Sequence, residues 1–227
     1  MIKNIIFDFG GVLLDLRPDR CIDEFRKIGI PEIEQMLSLA HQQGVLDAFE
    51  RGAITLSEFC DQMREAHSGA FIHEGKLRRM IPFMKNGHPI AAPTNRQIIH
   101  AYTAMADGIP TYRLDFVSQL SKEGFHVSAL SNTNVVHWGY CQRYFIEAGY
   151  VPAELFEHLW LSYEMRMVKP DPELFASILR DSGYDPAQTL FVDDNQRNCE
   201  VAEAAGMHTF CPAVRSDWTG QLRRYLI

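Results

Sequence analysis

The chain has 227 residues, enough for one large domain or for a core with a smaller second domain. Its 46% hydrophobic and 22% charged residues are close to the average for globular proteins and exclude the disordered and fibrous classes. The formal net charge of -7 argues against a nucleic-acid partner, because such binding neutralises phosphates with Lys and Arg, but it is compatible with a small anionic substrate.

Neither a membrane nor an oxidising compartment is indicated. No stretch approaches the roughly 18 consecutive apolar residues of a membrane-spanning helix, and the first residues, MIKNIIFDFGG, lack the pattern of a secretory signal. The five cysteines are odd in number and include no C-x-x-C pair, so we expect reduced thiols and neither disulfides nor a zinc site. A cytoplasmic protein without a membrane partner is the resulting prediction.

The first predicted element is a buried strand over residues 3–8, KNIIFD. It ends in Asp8, and Gly10 and Gly11 then form a flexible turn. Ligands of parallel α/β sheets bind at the carboxyl ends of the strands. Asp8 is therefore the first candidate functional residue.

Residues 17–107 predict helices and no strand. The candidate helices are Ile22–Ile28, Ile33–Gln43, one that starts at the Thr55–Glu58 capping box, and one that follows Thr94. Residues 68–93 contain three glycines and three prolines and should be the least regular part of this block. A helical block after the first strand of a sheet predicts a separate cap.

From residue 111 onward, predicted helices and strands alternate. The helices are 111–123, 171–183 and 195–205, the strands are 126–130, 189–193 and 208–211, and an amphipathic stretch follows from 217. This alternation predicts an α/β fold, a Rossmann-like parallel sheet core with an inserted α-helical cap domain. The predicted domains are a core of residues 1–16 and 108–227 and a helical cap of residues 17–107.

Polar residues fall together where the predicted strands end. They are Asp8, Ser131 with Asn132, Lys169, and Asp193 with Asp194. Each alone has an ordinary interpretation as a turn residue, a helix cap or a solvated charge. Together they contain a nucleophile, carboxylates for a metal, and a hydroxyl and a cation for phosphoryl oxygens, which are the parts of a phosphoryl-transfer site. Carboxylate and carbonyl ligands favour Mg²⁺.

Four segments, FDFGGVL, LSNTN, MVKPDPELF and FVDDNQRNCEVAEAAGM, resemble the ordered motifs of the haloacid dehalogenase (HAD) superfamily. The resemblance implies a catalytic core in which Asp8 is the nucleophile that forms an aspartyl-phosphate and Lys169 is its catalytic partner. The residues that it implies for the phosphoryl group are Ser131, Asn132 and Lys169. The Mg²⁺ ligands that it implies are Asp8, Asp194 and the backbone carbonyl of Gly10, with Asp193 and Asn198 in supporting roles.

The same resemblance suggests how the cap takes part. Far more residues separate the first motif from the second than the second from the third, so the insertion lies before the second motif. The segment DAFERGAITLSEF resembles the cap of sugar-phosphatase-like members and implies substrate contacts from Glu50 and Arg51, beside Gly52. Arg51 is equally well interpreted as a surface charge.

Other charged residues are weaker candidates. Arg17 and Arg20 follow the first motif closely. His137 matches a histidine of the most similar subgroup, although a position on a helix surface is favoured. The cluster of Lys76, Arg78, Arg79 and Lys85 is interpreted as a solvated face of the cap.

The pattern departs from the family at Gly10. Most phosphatases of this superfamily carry there a second aspartate that acts as general acid and base. The favoured function is nevertheless a Mg²⁺-dependent phosphatase of a small phosphorylated metabolite, with a sugar phosphate preferred, because the sequence resembles glucose-1-phosphatase-like members that share this glycine.

A non-catalytic protein that binds a phosphometabolite or a partner is the main alternative. A 2-haloacid dehalogenase is disfavoured, because such enzymes use no Mg²⁺ whereas Asp193 and Asp194 retain the acidic pair. The identity of the ester, the oligomeric state and whether residues 68–93 form a mobile lid are left open.

Overall fold

The computed structural model describes residues 1–38, 44–67, 72–73, 76–77, 84–85, 88–89 and 91–226. These residues form two compact units. The core unit comprises Met1–Leu16 and Ala106–Ile227, and the cap unit comprises Arg17–Met105. Ala106 and Asp107, which the sequence assigned to the cap, belong to the core unit. No helix among the described residues is long and apolar enough to cross a membrane.

The strands and helices are numbered in chain order. The strands are β1 (Asn4–Phe7), β2 (Ile72–His73), β3 (Lys76–Leu77), β4 (Met84–Lys85), β5 (His88–Pro89), β6 (His126–Ser131), β7 (Leu159–Leu161), β8 (Thr189–Val192) and β9 (His208–Phe210). The helices are α1 (Pro18–Lys27), α2 (Ile33–Ser38), α3 (Val45–Glu50), α4 (Leu56–His67), α5 (Asn95–Thr103), α6 (Thr111–Lys122), α7 (Val135–Glu147), α8 (Pro152–Leu155), α9 (Ser162–Met165), α10 (Pro172–Ser182), α11 (Gln196–Ala204) and α12 (Thr219–Leu222). Short 3₁₀ turns lie at Pro186–Gln188 and Arg223–Tyr225.

The core unit is built on a parallel sheet of five strands in the order β7-β6-β1-β8-β9. The prediction of a parallel α/β core is therefore confirmed. β1, β6, β8 and β9 lie where the sequence placed strands, whereas β7 was not predicted. Both β7 and β9 have three residues, too few to show an alternating pattern, and β9 was predicted because Gly206 ends the helix before it.

Apolar side chains cover both faces of the sheet. Because successive side chains of a strand point to opposite faces, Ile5 and Phe7 pack in one hydrophobic cluster while Ile6 packs in another. The four residues of β1 are all buried, as expected of a central strand covered on both sides. A strand so placed is firmly fixed, and so is the start of the loop that follows it.

Capping residues explain where helices of the core begin and end. Asp171 accepts a hydrogen bond from the N–H of Glu173, Pro172 occupies the first turn, and Gly183 ends α10 with a left-handed φ of 69°. α11 is capped by Asn195, which accepts from the N–H of Arg197. Asn195, and not the neighbouring Asp194, is therefore the cap of this helix.

The cap unit contains α1 to α5, with a stacked pair of aromatic rings, Phe49 and Phe59, in its interior. The Thr55–Glu58 capping box that begins α4 is present, since the N–H of Glu58 donates to the Thr55 hydroxyl and the N–H of Thr55 donates to the Glu58 carboxylate. α3 was not predicted.

The prediction that residues 17–107 contain no strand was wrong. β2 pairs with β3, and β4 pairs with β5, each as a two-residue antiparallel ladder. Ladders this short leave no sequence period. Most of residues 68–93, for which the question of a mobile lid was left open, lie outside the described residues. The same is true of the side chains of the Lys76, Arg78, Arg79 and Lys85 cluster and of the end of the predicted helix Ile33–Gln43 beyond Ser38.

Candidate active site

The carboxyl ends of three adjacent strands bring the predicted site residues of the core together. Asp8 follows β1, Ser131 ends β6, and Asp193 follows β8. The N–H of Asp8 donates to the carbonyl of Val192 at 2.9 Å, which continues the pairing of β1 with β8. Parallel strands in register end at the same edge, so residues far apart in sequence become neighbours.

Lys169 lies at the centre of this edge. Its Nζ is 2.8 Å from Asp8 Oδ1, 2.6 Å from Asp193 Oδ2 and 3.2 Å from the carbonyl oxygen of Leu130. An ammonium has three N–H donors, and these three acceptors match them. Burial lowers the pKa of Lys169, but the charges of Asp193 and Asp8 outweigh that effect and raise it overall. Lys169 is therefore a fixed positive charge.

The Asp193 carboxylate is fully buried and held from three directions. Besides Lys169, it accepts hydrogen bonds from the side-chain amide of Asn198 at 3.0 and 3.1 Å and from the N–H of Asn195 at 2.9 Å. Buried carboxylates are stable only when such partners replace water. Asp193 thus connects Lys169 with Asn198 through buried hydrogen bonds.

Asp8, Asp193 and Asp194 can each direct a carboxylate oxygen to within 4.8 Å of the other two. Burial raises the pKa of Asp8 to about 8, Lys169 opposes this rise, and Asp193 and Asp194 add to it. Burial, together with the neighbouring Asp193, also raises the pKa of Asp194. One ammonium cannot balance three carboxylates, so when all are ionised the site carries two excess negative charges. The charge and the oxygen donors suit a hard divalent cation such as Mg²⁺.

The absence of a side chain at Gly11 leaves room for the carboxylate of Asp194. The glycine's φ of +77° is unfavourable for other residues, and a Cβ placed there would lie 2.3 Å from Asp194 Oδ2 and 2.4 Å from Cγ. The sequence indicated a flexible turn at this glycine but not the contact with Asp194. Any side chain at residue 11 has to displace that carboxylate.

We expect Gly11→Ala to weaken Mg²⁺ binding at least about tenfold, because the added Cβ displaces the Asp194 carboxylate. Loss of a charged ligand lowers the affinity for the cation more than loss of a weak contact does. The matched control is Gly149→Ala. Gly149 has a similar φ of +84°, but no described atom lies within 4 Å of a Cβ built there. Calorimetric Mg²⁺ titrations of both variants separate the effect of the contact with Asp194 from the effect of backbone strain at a positive φ. Equal losses in the two variants would contradict the steric explanation.

Ser131 and Asn132 were both predicted to bind phosphate, and the structure places them differently. Ser131 is buried, and within the described part of the chain its hydroxyl makes one long contact, of 3.5 Å to the carbonyl of Asn132, so it can rotate towards another acceptor. The amide of Asn132 instead donates to the carbonyl of Lys169 at 2.9 Å and accepts from its N–H at 2.8 Å. The side chain of Asn132 is therefore directed at protein backbone.

A further residue of this edge, Ser162, was missed by sequence reasoning. It follows β7, is fully buried, and hydrogen-bonds to both the N–H and the carbonyl of Thr133. The short apolar run LWL before it was the available signal for a strand end. Without a prediction of β7, nothing in the sequence connected Ser162 with the second motif.

The remaining candidates make local contacts. Arg51 pairs with Asp47 one helical turn earlier, with both carboxylate oxygens 3.1 Å from Nε, and Glu50 is buried within the cap unit. Arg17 forms an ion pair with Asp19. Arg20 is exposed on α1. The half-buried His137 lies in the first turn of α7, 3.5 Å from the Asn134 amide, as expected of a residue on the surface of a helix.

The family model of the haloacid dehalogenase-like hydrolases matches residues 2–206. The chain belongs to this hydrolase family. The resemblance seen in the four motifs is thereby confirmed, and this haloacid dehalogenase-like hydrolase has relatives that match it over nearly its whole length. One is the D-ribitol-5-phosphate phosphatase of Bacteroides thetaiotaomicron, 32% identical over 224 residues, which are 98% of this chain and 97% of the relative.

Solved structures match equally well. A wild-type HAD family enzyme of Bacteroides thetaiotaomicron, in complex with magnesium and inorganic phosphate, is 36% identical with a TM-score of 0.81 and covers 98% of this chain and 100% of its own. A HAD-like family hydrolase of Porphyromonas gingivalis is 28% identical with a TM-score of 0.82, covering 100% and 98%. The family and the phosphatase relative confirm the prediction that this hydrolase is a phosphoric monoester hydrolase.

Proposed function

We propose that this hydrolase is a Mg²⁺-dependent phosphatase that cleaves a small phosphorylated sugar or sugar alcohol through an aspartyl-phosphate on Asp8. The observation that carries the proposal is the cluster of the buried Asp8 and Asp193, both paired with Lys169, and the half-buried Asp194, whose excess negative charge suits a divalent cation. The relative that acts on D-ribitol 5-phosphate and the neighbour crystallised with magnesium and phosphate support it.

In the proposed first step, a carboxylate oxygen of Asp8 attacks phosphorus, the ester oxygen departs, and the phosphoryl group is left on Asp8. Lys169 and the Ser131 hydroxyl bind the phosphoryl oxygens and offset their charge. Water then attacks the aspartyl-phosphate, which releases inorganic phosphate and restores Asp8. Mg²⁺ held by Asp8, Asp194 and the carbonyl of Gly10 would reduce the repulsion between the carboxylate and the anionic substrate.

Two substrate classes follow from different observations. The relative's name points to a terminal phosphate of an open-chain sugar alcohol, whose leaving alkoxide is strongly basic. Gly10 carries no acid to protonate a leaving group, which favours an anomeric sugar phosphate, whose C1 oxygen is the better leaving group. Glu50 and Arg51 remain proposed substrate contacts of the cap. A comparison of ribitol 5-phosphate, a hexose 1-phosphate and the matching 6-phosphate distinguishes these classes.

The decisive test is a screen of phosphorylated metabolites with EDTA and with added Mg²⁺. We expect EDTA to remove activity, Mg²⁺ to restore it, and Asp194→Ala to raise the Mg²⁺ concentration required. Glu200→Gln, which changes an exposed carboxylate on α11, is the matched control. Activity indifferent to EDTA would contradict the proposal, and halide release from 2-haloacids would favour a dehalogenase. Phosphate binding without turnover of any ester would favour the non-catalytic alternative that Gly10 suggests.

The raised pKa of Asp8 makes Mg²⁺ binding depend on pH. The folded protein keeps a proton on Asp8 that the unfolded chain releases above its ordinary pKa of 3.8, so without a cation the free energy of unfolding falls as the pH rises towards about 8. Mg²⁺ competes with that proton and binds more tightly over the same range. We expect Mg²⁺ to raise the Tm more at about pH 8 than at about pH 6. A Tm increase independent of pH would contradict this assignment.

A further inference from the structure

The loop that follows β6 is held by two reciprocal pairs of hydrogen bonds. The Asn132 amide donates to the carbonyl of Lys169 at 2.9 Å and accepts from the N–H of Lys169 at 2.8 Å. The Ser162 hydroxyl accepts from the N–H of Thr133 at 2.9 Å and donates to the carbonyl of Thr133 at 2.8 Å. In each pair one side chain binds both main-chain groups of a single residue. Neither Lys169 nor Thr133 can shift without breaking two bonds.

These bonds join three loops at the carboxyl edge of the sheet. Ser131 pairs with Leu161 across β6 and β7, and Ser162 is the next residue after that pair. Ser162, Thr133 and Lys169 are all buried, so a bond broken here is not replaced by water. The loop is consequently tied to β7 on one side and to Lys169 on the other.

These hydrogen bonds also determine which protein groups can contact a phosphoryl oxygen. The N–H of Thr133 is used by Ser162, and the N–H groups of Val136 and His137 donate to the side chain of Asn134. These three N–H groups, just before and within the first turn of α7, therefore point at protein oxygens rather than at an anion. The Ser131 hydroxyl and the Lys169 ammonium are the groups whose separation matters for a bound phosphoryl group.

We propose that Asn132 and Ser162 are positioning residues. Asn132 holds Lys169, Ser162 holds Thr133, and together they set the separation between the Ser131 hydroxyl and the Lys169 ammonium. The role rests on the proposed phosphatase function, since it concerns the binding of a phosphoryl group. It gives the side chain of Asn132, a residue predicted to bind phosphate, a contact with the backbone of Lys169.

The first experiment compares Ser162→Ala with Ser128→Ala. Ser128 is also a fully buried serine of the core unit, and its hydroxyl bonds to Tyr184 instead of to the loop. With Mg²⁺ present, we expect Ser162→Ala to weaken the binding of inorganic phosphate, measured by calorimetry, by about tenfold. The KM should rise by a similar factor, and the affinity for Mg²⁺ should not change. A Ser128→Ala variant with the same loss of phosphate affinity would overturn the proposal for Ser162.

The second experiment is a double-mutant cycle between Asn132 and Lys169. If Asn132 acts through Lys169, Asn132→Ala weakens phosphate binding in the wild type but has no further effect in a Lys169→Met background. If Asn132 instead contacts phosphate directly, its effect persists in that background, and the proposal is overturned. Asn132→Asp keeps the acceptor for the N–H of Lys169, so it should retain more of the protection of that N–H than Asn132→Ala does.

A third measurement is independent of function. Amide hydrogen exchange reports the N–H of Thr133 and of Lys169 directly, and we expect Ser162→Ala to speed exchange at Thr133 and Asn132→Ala to speed it at Lys169. Unchanged exchange in the two variants would overturn the proposal even in an active enzyme. Faster exchange without any loss of phosphate affinity would overturn it too. A wild-type protein that binds no phosphate and hydrolyses no ester would instead refute the proposed function.

Discussion

Asp8→Asn is expected to abolish turnover and leave the protein folded. The amide is almost the same size as the carboxylate, but it is a poor nucleophile and carries no charge for a cation. Loss of a nucleophile typically lowers kcat by about 10⁴-fold or more. The measurement is kcat for the best ester of the screen, together with Tm and near-ultraviolet circular dichroism. Without Mg²⁺ at about pH 8, the variant should be at least as stable as the wild type, because it removes a buried carboxylate whose pKa is raised.

Trapping the covalent intermediate provides the control for this prediction. Wild-type enzyme quenched with acid during turnover should carry one phosphoryl group on the peptide that contains Asp8, and Asp8→Asn should carry none. Full activity in the variant, or a phosphoryl group on another residue, would refute the proposed mechanism.

Gly10→Asp is expected to raise turnover of esters with strongly basic leaving groups, by up to the 10² to 10⁴-fold typical of general acid catalysis. The backbone of Gly10 is not in the left-handed region, and the nearest atom to a Cβ placed there is the end of a flexible side chain, Leu16 Cδ1, at 3.1 Å. A small movement of Leu16 therefore makes room for a Cβ at this position. Gly10→Asn is the matched control, because it has the same size but no proton to give at neutral pH.

The measurement uses a series of small aryl phosphates of increasing leaving-group basicity, which reduces the influence of the cap. If departure of the leaving group limits the rate, wild-type turnover should fall steeply along the series, and Gly10→Asp should flatten the slope. A flat wild-type series, with chemistry shown to limit the rate, would mean that another residue already donates the proton. Equal rates for Gly10→Asp and Gly10→Asn would show that the new carboxyl group transfers none.

The elements that the sequence predicted have a local cause. β1 and β8 are buried runs that end at an aspartate, and α10 is bounded by Asp171 with Pro172 and by Gly183. Such signals lie within a few residues of one another, so they can be read from the sequence without knowledge of the tertiary arrangement. β7 and the short ladders of the cap have too few residues for a period, and β9, as short as β7, was predicted from the Gly206 helix stop before it.

The partners of Asn132 and Ser162 could not be predicted for a related reason. Asn132 binds a residue 37 positions away, and Ser162 binds one 29 positions away. A hydrogen bond between residues so far apart in sequence produces no local sequence pattern. The resemblance to the family supplied a phosphate-binding role for Asn132, and the structure directs its side chain at the backbone of Lys169.

By itself the sequence determined the α/β core, the family and the chemical groups at the strand ends, because residue type and local periodicity carry that information. Only the tertiary structure decided that Asp8 and Asp193 share one ammonium with Asp194 close to both, and that a glycine leaves space for Asp194. Those properties depend on distance and burial. Desolvation and Coulomb interactions raise the pKa of Asp8 only when the neighbouring charges lie within a few ångströms and water is removed.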